Sequence, residues 1–130
     1  MLIYVASPYS GDVETNVKNA RRYCRFVVDS GEIPLAPHLL LPQFMDEEAE
    51  RERALNMNKE LLHRCDELWV FGNVITAGIA KEIKWANKEK KKVRFFGAVN
   101  CEPASQRYQN GSRGVYATDT PFEGLNKEDV

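Results

Sequence analysis

The sequence lacks the features that indicate a secreted, metal-bound or membrane-inserted protein. Its 130 residues include only three cysteines, with no C-x-x-C pair, which argues against a disulfide framework or a zinc site and fits a reducing cytosol. No apolar run approaches the roughly 20 residues that a membrane-spanning helix needs. The apolar start Met1–Ala6 is too short for a signal peptide. We therefore expect a cytoplasmic protein that uses no metal and no cofactor.

The sequence also lacks an excess of positive charge. The formal net charge is −1, so nothing indicates binding to a nucleic-acid polymer or to an anionic membrane. The most basic stretch, Lys88–Lys92, falls at the predicted end of a helix, where the helix dipole favours cations. Because these partner classes are not indicated, we expect a small-molecule partner.

Strand-like and helix-like segments alternate along the first 97 residues. Apolar, β-rich runs begin at Leu2, Ile33, Glu67 and Lys92, and amphipathic segments separate them. One helix is predicted to follow a cap at Asp12 or Thr15, a second to begin at Asp46 and a third to begin at Thr76, with a loop at 38–44. This alternation predicts an α/β fold with a parallel sheet of about four to five strands in the order 2-1-3-4, and helices on both faces.

The composition changes near Gly97. Residues 1–97 form the predicted domain, and residues 98–130 form a polar extension rich in Gly, Ser, Pro and Asn. Val115–Thr118 is its only strand-like run. The extension is interpreted as a disordered tail, an edge strand or an arm that packs on a neighbouring subunit.

Three turns are the candidate site, because ligands of open parallel sheets bind at the carboxyl ends of the strands. They are Ser7–Gly11, His38–Asp46 and Gly72–Gly78. The first offers hydroxyls and backbone N–H groups to a phosphate or a sugar hydroxyl, although an ordinary strand-to-helix turn would look the same. His38 is either a structural residue or a contact to base or phosphate.

Glu82 is the candidate nucleophile. It follows Thr76-Ala77-Gly78 by about one helical turn, and a carboxylate near the positive end of a helix is expected to be ionised. An ionised carboxylate at the mouth of a pocket can attack an anomeric carbon and form a glycosyl ester. The alternative is a glutamate that only stabilises the helix.

Four segments carry a resemblance to a known family: IYVASPYSG, LAPHLLLP, CDELWVFG and ITAGIAKEIKWA. In this order they resemble the nucleoside 2-deoxyribosyltransferase superfamily over about Leu2 to Phe96. The short phage and bacterial members, including 2′-deoxynucleoside 5′-phosphate N-hydrolases, are the most similar group. The resemblance implies a flavodoxin-like three-layer fold, a covalent double-displacement mechanism and a homodimer or larger assembly, because neighbouring subunits of this family share site residues.

The resemblance also implies roles for individual residues. Glu82 would attack C1′ of the sugar, Tyr4 would hold and tune Glu82, and Asp66 would bind the sugar or protonate the leaving base. The remaining implied positions contact substrate: Ser7, Pro8, Tyr9, Ser10 and Gly11 in the turn that receives the 5′-hydroxyl or 5′-phosphate, with His38, Thr76, Ala77 and Gly78.

The expected function is cleavage or transfer of the N-glycosidic bond of a nucleoside or a nucleoside 5′-monophosphate. The alternative is a non-catalytic protein that binds or sequesters a nucleotide, and a third reading is an assembly protein with a vestigial pocket. The loop Gly72–Thr76 contains no acid, which favours hydrolysis or binding over transfer. The presence of Glu82 favours catalysis.

Overall fold

The computed structural model of the chain describes residues 1–99. Cys101, the strand-like run Val115–Thr118 and the predicted interface arm lie outside the described residues. Within residues 1–99, no helix is long and apolar enough to cross a membrane.

The described residues form a four-stranded sheet in the order β2-β1-β3-β4, with β1 at Leu2–Ala6, β2 at Ile33–Leu35, β3 at Glu67–Val70 and β4 at Lys92–Phe95. All neighbouring strands are parallel, and Tyr4 lies beside Leu35 on one side and Leu68 on the other. The predicted parallel sheet and strand order are therefore confirmed. Pro34 is in β2, an edge strand, where its missing N–H is tolerated.

The helices of the described residues are α1 at Val13–Asp29, a short α2 at Pro37–Leu40, α3 at Arg51–Arg64 and α4 at Ala77–Lys88, with a 3-10 turn at Leu41–Gln43. Side chains cap the two helices that follow β1 and β3. The Asp12 carboxylate accepts from the Thr15 N–H at 3.2 Å, and the Thr76 hydroxyl accepts from the Ile79 N–H at 3.2 Å. Each cap satisfies a donor at a helix start that has no partner within the helix.

The segment after β2 differs from the prediction. Residues 38–44 are not a loop, because Pro37 and Pro42 each occupy a first-turn position of a short helix, where proline is favoured. The next helix begins at Arg51 and not at Asp46. The Asp46 carboxylate accepts from the N–H groups of Glu48 and Ala49, which closes a local turn before α3 begins.

Two apolar clusters cover the two faces of the sheet. Tyr4 and Ala6 of β1 pack with residues of α3 and α4, whereas Ile3 and Val5 pack with residues of α1. This is the alternation expected along a strand that is buried on both faces. The two faces are therefore covered by helices, as predicted.

Phe95 and Phe96 belong to these clusters and not to the surface. Phe95 packs on the α4 side and Phe96 on the α1 side, where its ring stacks on Phe71 at 4.9 Å between centroids. Their exposed fractions are 1% and 0%. They therefore offer no apolar surface to a partner subunit, because Phe95 at the end of β4 and Phe96 directly after it pack on opposite buried faces of the sheet.

Candidate active site

A cavity of about 290 Å³ lies at the carboxyl edge of the sheet, between the ends of β1 and β2 and the start of α4. Residues of β1, the turn after β1, α2, the turn before α3, α3 and the start of α4 contribute to it. Its lining consists of Tyr4, Ala6, Ser7, Tyr9, Ser10, His38, Glu47, Arg51, Asn58, Thr76, Ala77, Gly78, Ile79 and Glu82. Most of the positions expected from the sequence thus meet in one place.

Tyr4 and Glu82 form the buried floor of the cavity. Tyr4 is 1% exposed, and its hydroxyl donates a hydrogen bond to the Glu82 carboxyl group. Burial and the neighbouring Glu82 raise the pKa of Tyr4 well above its usual range. The tyrosine therefore keeps its proton and acts as a donor to the carboxylate.

Burial raises the pKa of Glu82 to about 7, and the Tyr4 hydrogen bond acts in the opposite direction. The expectation that the helix end keeps Glu82 ionised is corrected here. Glu82 lies in the second turn of α4, and the effect of the helix end falls off within the first turn. Removal from water dominates instead, and it brings the pKa of the carboxyl group into the neutral range.

His38 and Ser7 form a second polar pair in the cavity. The Ser7 Oγ and the His38 Nε2 are 2.8 Å apart. Burial lowers the pKa of His38 to about 4, so the imidazole is neutral at physiological pH and offers one donor and one acceptor. This pair presents neutral hydrogen-bonding groups to a ligand and no positive charge.

In the turn after β1, some residues line the cavity and others fix the conformation of the turn. Tyr9 and Ser10 line the cavity together with Ser7, and the Asn16 side-chain amide donates to the carbonyls of Tyr9 and Ser10 at 3.0 Å each. The other two predicted contacts, Pro8 and Gly11, lie outside the lining. A Cβ on Gly72 would lie 3.4 Å from the Pro8 ring, and Gly11 has a φ of +93°, so both shape the turn.

The start of α4 forms another wall. Thr76, Ala77 and Gly78 all line the cavity, as the sequence predicted. The Thr76 hydroxyl satisfies the Ile79 N–H. The first-turn N–H groups of Ala77 and Gly78 belong to a helix N-terminus, which favours anionic ligands.

Asp66 does not belong to this site. It lies directly before β3, and its Oδ2 accepts from the backbone N–H of Leu2 at 2.7 Å. Leu2 is the first residue of β1, so Asp66 lies at the amino edge of the sheet, opposite the cavity. The expected role of Asp66 in binding the sugar or protonating the base is therefore not available within one chain.

Sequence reasoning missed three polar lining residues, Glu47, Arg51 and Asn58. Burial raises the pKa of Glu47, and the nearby Arg51 opposes this shift. The Oδ1 of Asn58 is buried and has no hydrogen-bond partner in the described residues. The seven-residue spacing of Arg51 and Asn58 was the available signal, because it places both side chains on one face of α3.

Residues 1–99 contain no group of three or more His, Cys, Asp or Glu side chains arranged to hold a metal ion. The polar groups of the cavity are instead carboxyl, hydroxyl, amide, imidazole and guanidinium groups. Such a set can bind a sugar or a phosphate and can supply a nucleophile at Glu82.

Comparison with known proteins gives a family and a fold. A family model described as "Domain of unknown function (DUF7768)" matches residues 1–96, and no curated protein matches the chain. A similar solved structure is a 2-deoxyribosyltransferase from the psychrotolerant bacterium Bacillus psychrosaccharolyticus, described as a biocatalyst for synthesis of nucleosides. The TM-score is 0.55 at 21% identity, covering 75% of this chain and 72% of the other. The flavodoxin-like α/β fold is therefore shared with that structure.

Proposed function

The chain belongs to the family described as Domain of unknown function (DUF7768), and we propose that it cleaves or transfers an N-glycosidic bond through a covalent sugar ester on Glu82. The substrate is a nucleoside or a nucleoside 5′-monophosphate. The observation that carries the proposal is the Glu82 carboxyl group on the floor of the cavity, hydrogen-bonded by Tyr4. The fold shared with a 2-deoxyribosyltransferase gives independent support.

The chemistry is a double displacement at C1′ of the sugar. The Glu82 carboxylate attacks C1′, the C1′–N bond breaks, and the base leaves with the bonding electron pair and takes up a proton. Water or a second base then attacks C1′ and releases Glu82. A nucleophile with a pKa of about 7 suits this role, because it is ionised in a large fraction of molecules while a less acidic carboxylate is a better nucleophile.

The cavity suits a sugar or a sugar phosphate. Its volume of about 290 Å³ is at the lower end of the roughly 300–1,000 Å³ typical of small-molecule sites. Ser7, Ser10 and the neutral His38 offer hydrogen bonds to hydroxyl groups. Arg51 and the first-turn N–H groups of α4 offer partners to a 5′-phosphate.

The test is product analysis by chromatography after incubation of the full chain with a panel of nucleosides and their 5′-monophosphates. Release of free base from at least one compound is expected, together with a mass increase of one sugar unit on the peptide that contains Glu82. Glu82→Gln should abolish both signals, and Glu48→Gln, which alters an exposed carboxylate outside the cavity, should leave both unchanged. A parent protein that releases no base from any compound would contradict the proposal.

The second candidate is a protein that binds or sequesters a nucleotide without cleaving it. One observation favours it: the loop Gly72–Thr76 carries no acid. Tight binding of a panel member without product formation would replace the catalytic proposal with this one.

A further inference from the structure

We propose that Glu47 is the acid–base catalyst of the cavity, which protonates the departing base and then activates the attacking water. This inference rests on the proposed function and extends it to a residue outside the four segments that carry the family resemblance. Glu47 lies in the turn between the 3-10 helix and α3, and its side chain lines the same cavity as Glu82.

The position of Glu47 relative to Tyr4 is the first argument. Glu82 is hydrogen-bonded to Tyr4, and Glu47 is also close enough to raise the pKa of Tyr4 electrostatically. Both carboxyl groups therefore lie in the same cavity as Tyr4 and within electrostatic range of it. Apart from Glu82, Glu47 is the only carboxyl side chain among the described residues that line the cavity.

The protonation behaviour of the other cavity groups is the second argument. The pKa of His38 is lowered to about 4, so the imidazole has no extra proton to donate at neutral pH. The Tyr4 hydroxyl is hydrogen-bonded to Glu82. Glu47 is the remaining carboxyl group of the lining, and burial raises its pKa, a shift that Arg51 opposes.

Each half of the reaction uses Glu47 once. In the first half, the Glu82 carboxylate bonds to C1′, the electron pair of the C1′–N bond passes to the base, and the base takes the proton of the Glu47 carboxyl group. In the second half, the Glu47 carboxylate removes a proton from water, and the water oxygen bonds to C1′. The bond from C1′ to Glu82 then breaks with its electron pair returning to Glu82. One water is consumed, and both carboxyl groups return to their starting states.

The lining of the cavity also has an acceptor for a polar ligand. The buried Oδ1 of Asn58 has no partner in the described residues, and a buried acceptor of this kind is costly to leave unpaired. A sugar hydroxyl or the attacking water would satisfy it.

The experiment compares a leaving group that needs a proton with one that does not. The probes are the four common 2′-deoxynucleoside 5′-monophosphates and 4-nitrophenyl 2-deoxyriboside 5-phosphate, whose nitrophenolate departs as a stable anion. For Glu47→Gln, kcat/KM on the nucleotide that the parent cleaves should fall by about a hundredfold or more. For the nitrophenyl compound it should fall less than about tenfold. Sodium azide, a small nucleophile that needs no base catalysis, should restore turnover of the nitrophenyl compound by this variant.

The controls separate this inference from the proposed function. Glu82→Gln should lose activity on both substrates. Glu48→Gln, which alters the exposed glutamate next to Glu47, should retain activity on both. Two outcomes would overturn the acid–base role of Glu47 and leave the nucleophilic role of Glu82 in place. In the first, Glu47→Gln retains activity on both substrates, as Glu48→Gln does. In the second, Glu47→Gln loses activity on both substrates equally, and azide does not restore it. If the parent cleaves none of the probes, both proposals are overturned.

Discussion

Tyr4 in the middle of β1 donates a hydrogen bond to the carboxyl group of Glu82 in the second turn of α4. The bond joins the centre of the sheet to the helix that follows β3, so the position of the carboxyl group is fixed by the core and not by a surface loop. Residues that are distant in sequence thus meet because β1 and β3 are adjacent strands. The first two predictions test this pair.

Tyr4→Phe should change the magnitude of kcat/KM and also shift its pH dependence. The hydrogen bond from Tyr4 lowers the pKa of Glu82, so its loss raises that pKa further above 7. Because attack needs the carboxylate, the acid limb of the kcat/KM profile should shift to higher pH, and the variant should be closest to the parent above pH 8. Tyr23→Phe, which alters a tyrosine on the opposite face of the sheet, is the control and should leave the limb in place.

Glu82→Gln should stabilise the protein at alkaline pH while removing activity. A glutamate ordinarily ionises near pH 4.5, whereas burial raises the pKa of Glu82 to about 7. As pH rises between these values the unfolded chain releases its proton first, so the free energy of unfolding falls and stays low above pH 7. A shift of this size amounts to at most about 3 kcal/mol.

The neutral glutamine does not carry this penalty. Urea unfolding at pH 8 should therefore show the variant to be more stable than the parent, and the difference should vanish near pH 4. A constant difference at both pH values would show that the carboxyl group is not desolvated. Glu48→Gln should show no pH-dependent gain.

The parallel sheet could be predicted from the sequence, because the apolar runs and the helical periodicity are local patterns. The segment after β2 could not, since its structure depends on where helices end. Asp46 was interpreted as a helix start, but its side chain closes a turn, and the helix begins at Arg51. Glu47, Arg51 and Asn58 were missed because the packing of this segment over the carboxyl edge of the sheet is a tertiary feature and not a local pattern.

The position of Asp66 was available from strand direction alone. In a parallel sheet the residue before a strand lies at the amino edge, and the site lies at the carboxyl edge. Tyr4, Ser7, Tyr9 and Ser10 line the cavity because they lie in β1 or directly after it. Strand direction alone therefore excludes Asp66 from the cavity, although its position matches the family motif.

Asp66→Asn should leave catalysis unchanged. Its carboxylate accepts a hydrogen bond from the Leu2 N–H at the amino edge of the sheet, and the asparagine oxygen can replace that bond. Steady-state kinetics on the substrate that the panel identifies should give kcat/KM within about twofold of the parent, with a small loss of thermal stability. A loss of a hundredfold or more would place Asp66 in an active site after all.

Nucleoside 5′-monophosphates should bind more tightly than the corresponding nucleosides. The Asp12 carboxylate caps the N-terminus of α1, and this negative charge disfavours a phosphate at that helix end. Arg51 and the start of α4 remain as partners in the cavity. Calorimetry with Glu82→Gln, which binds without turnover, should show the preference, and Arg51→Gln should reduce it about tenfold or more. Equal affinities would remove the phosphate assignment.

The chain should assemble into a homodimer or a larger oligomer. Phe44 and Val74, in the segments that follow β2 and β3, are 67% and 60% exposed, so two large apolar side chains lie unprotected at the edge of the sheet that holds the cavity. A second subunit over this edge would bury them. Light scattering should give at least twice the chain mass of 14.9 kDa.

The same surface can be tested by substitution. Phe44→Ser combined with Val74→Ser should shift the protein towards the monomer, and Val13→Ser, at an exposed apolar position at the start of α1, should not. A parent protein that scatters as a monomer at working concentration would contradict the prediction. If the double variant remains an oligomer, the subunits meet at another surface.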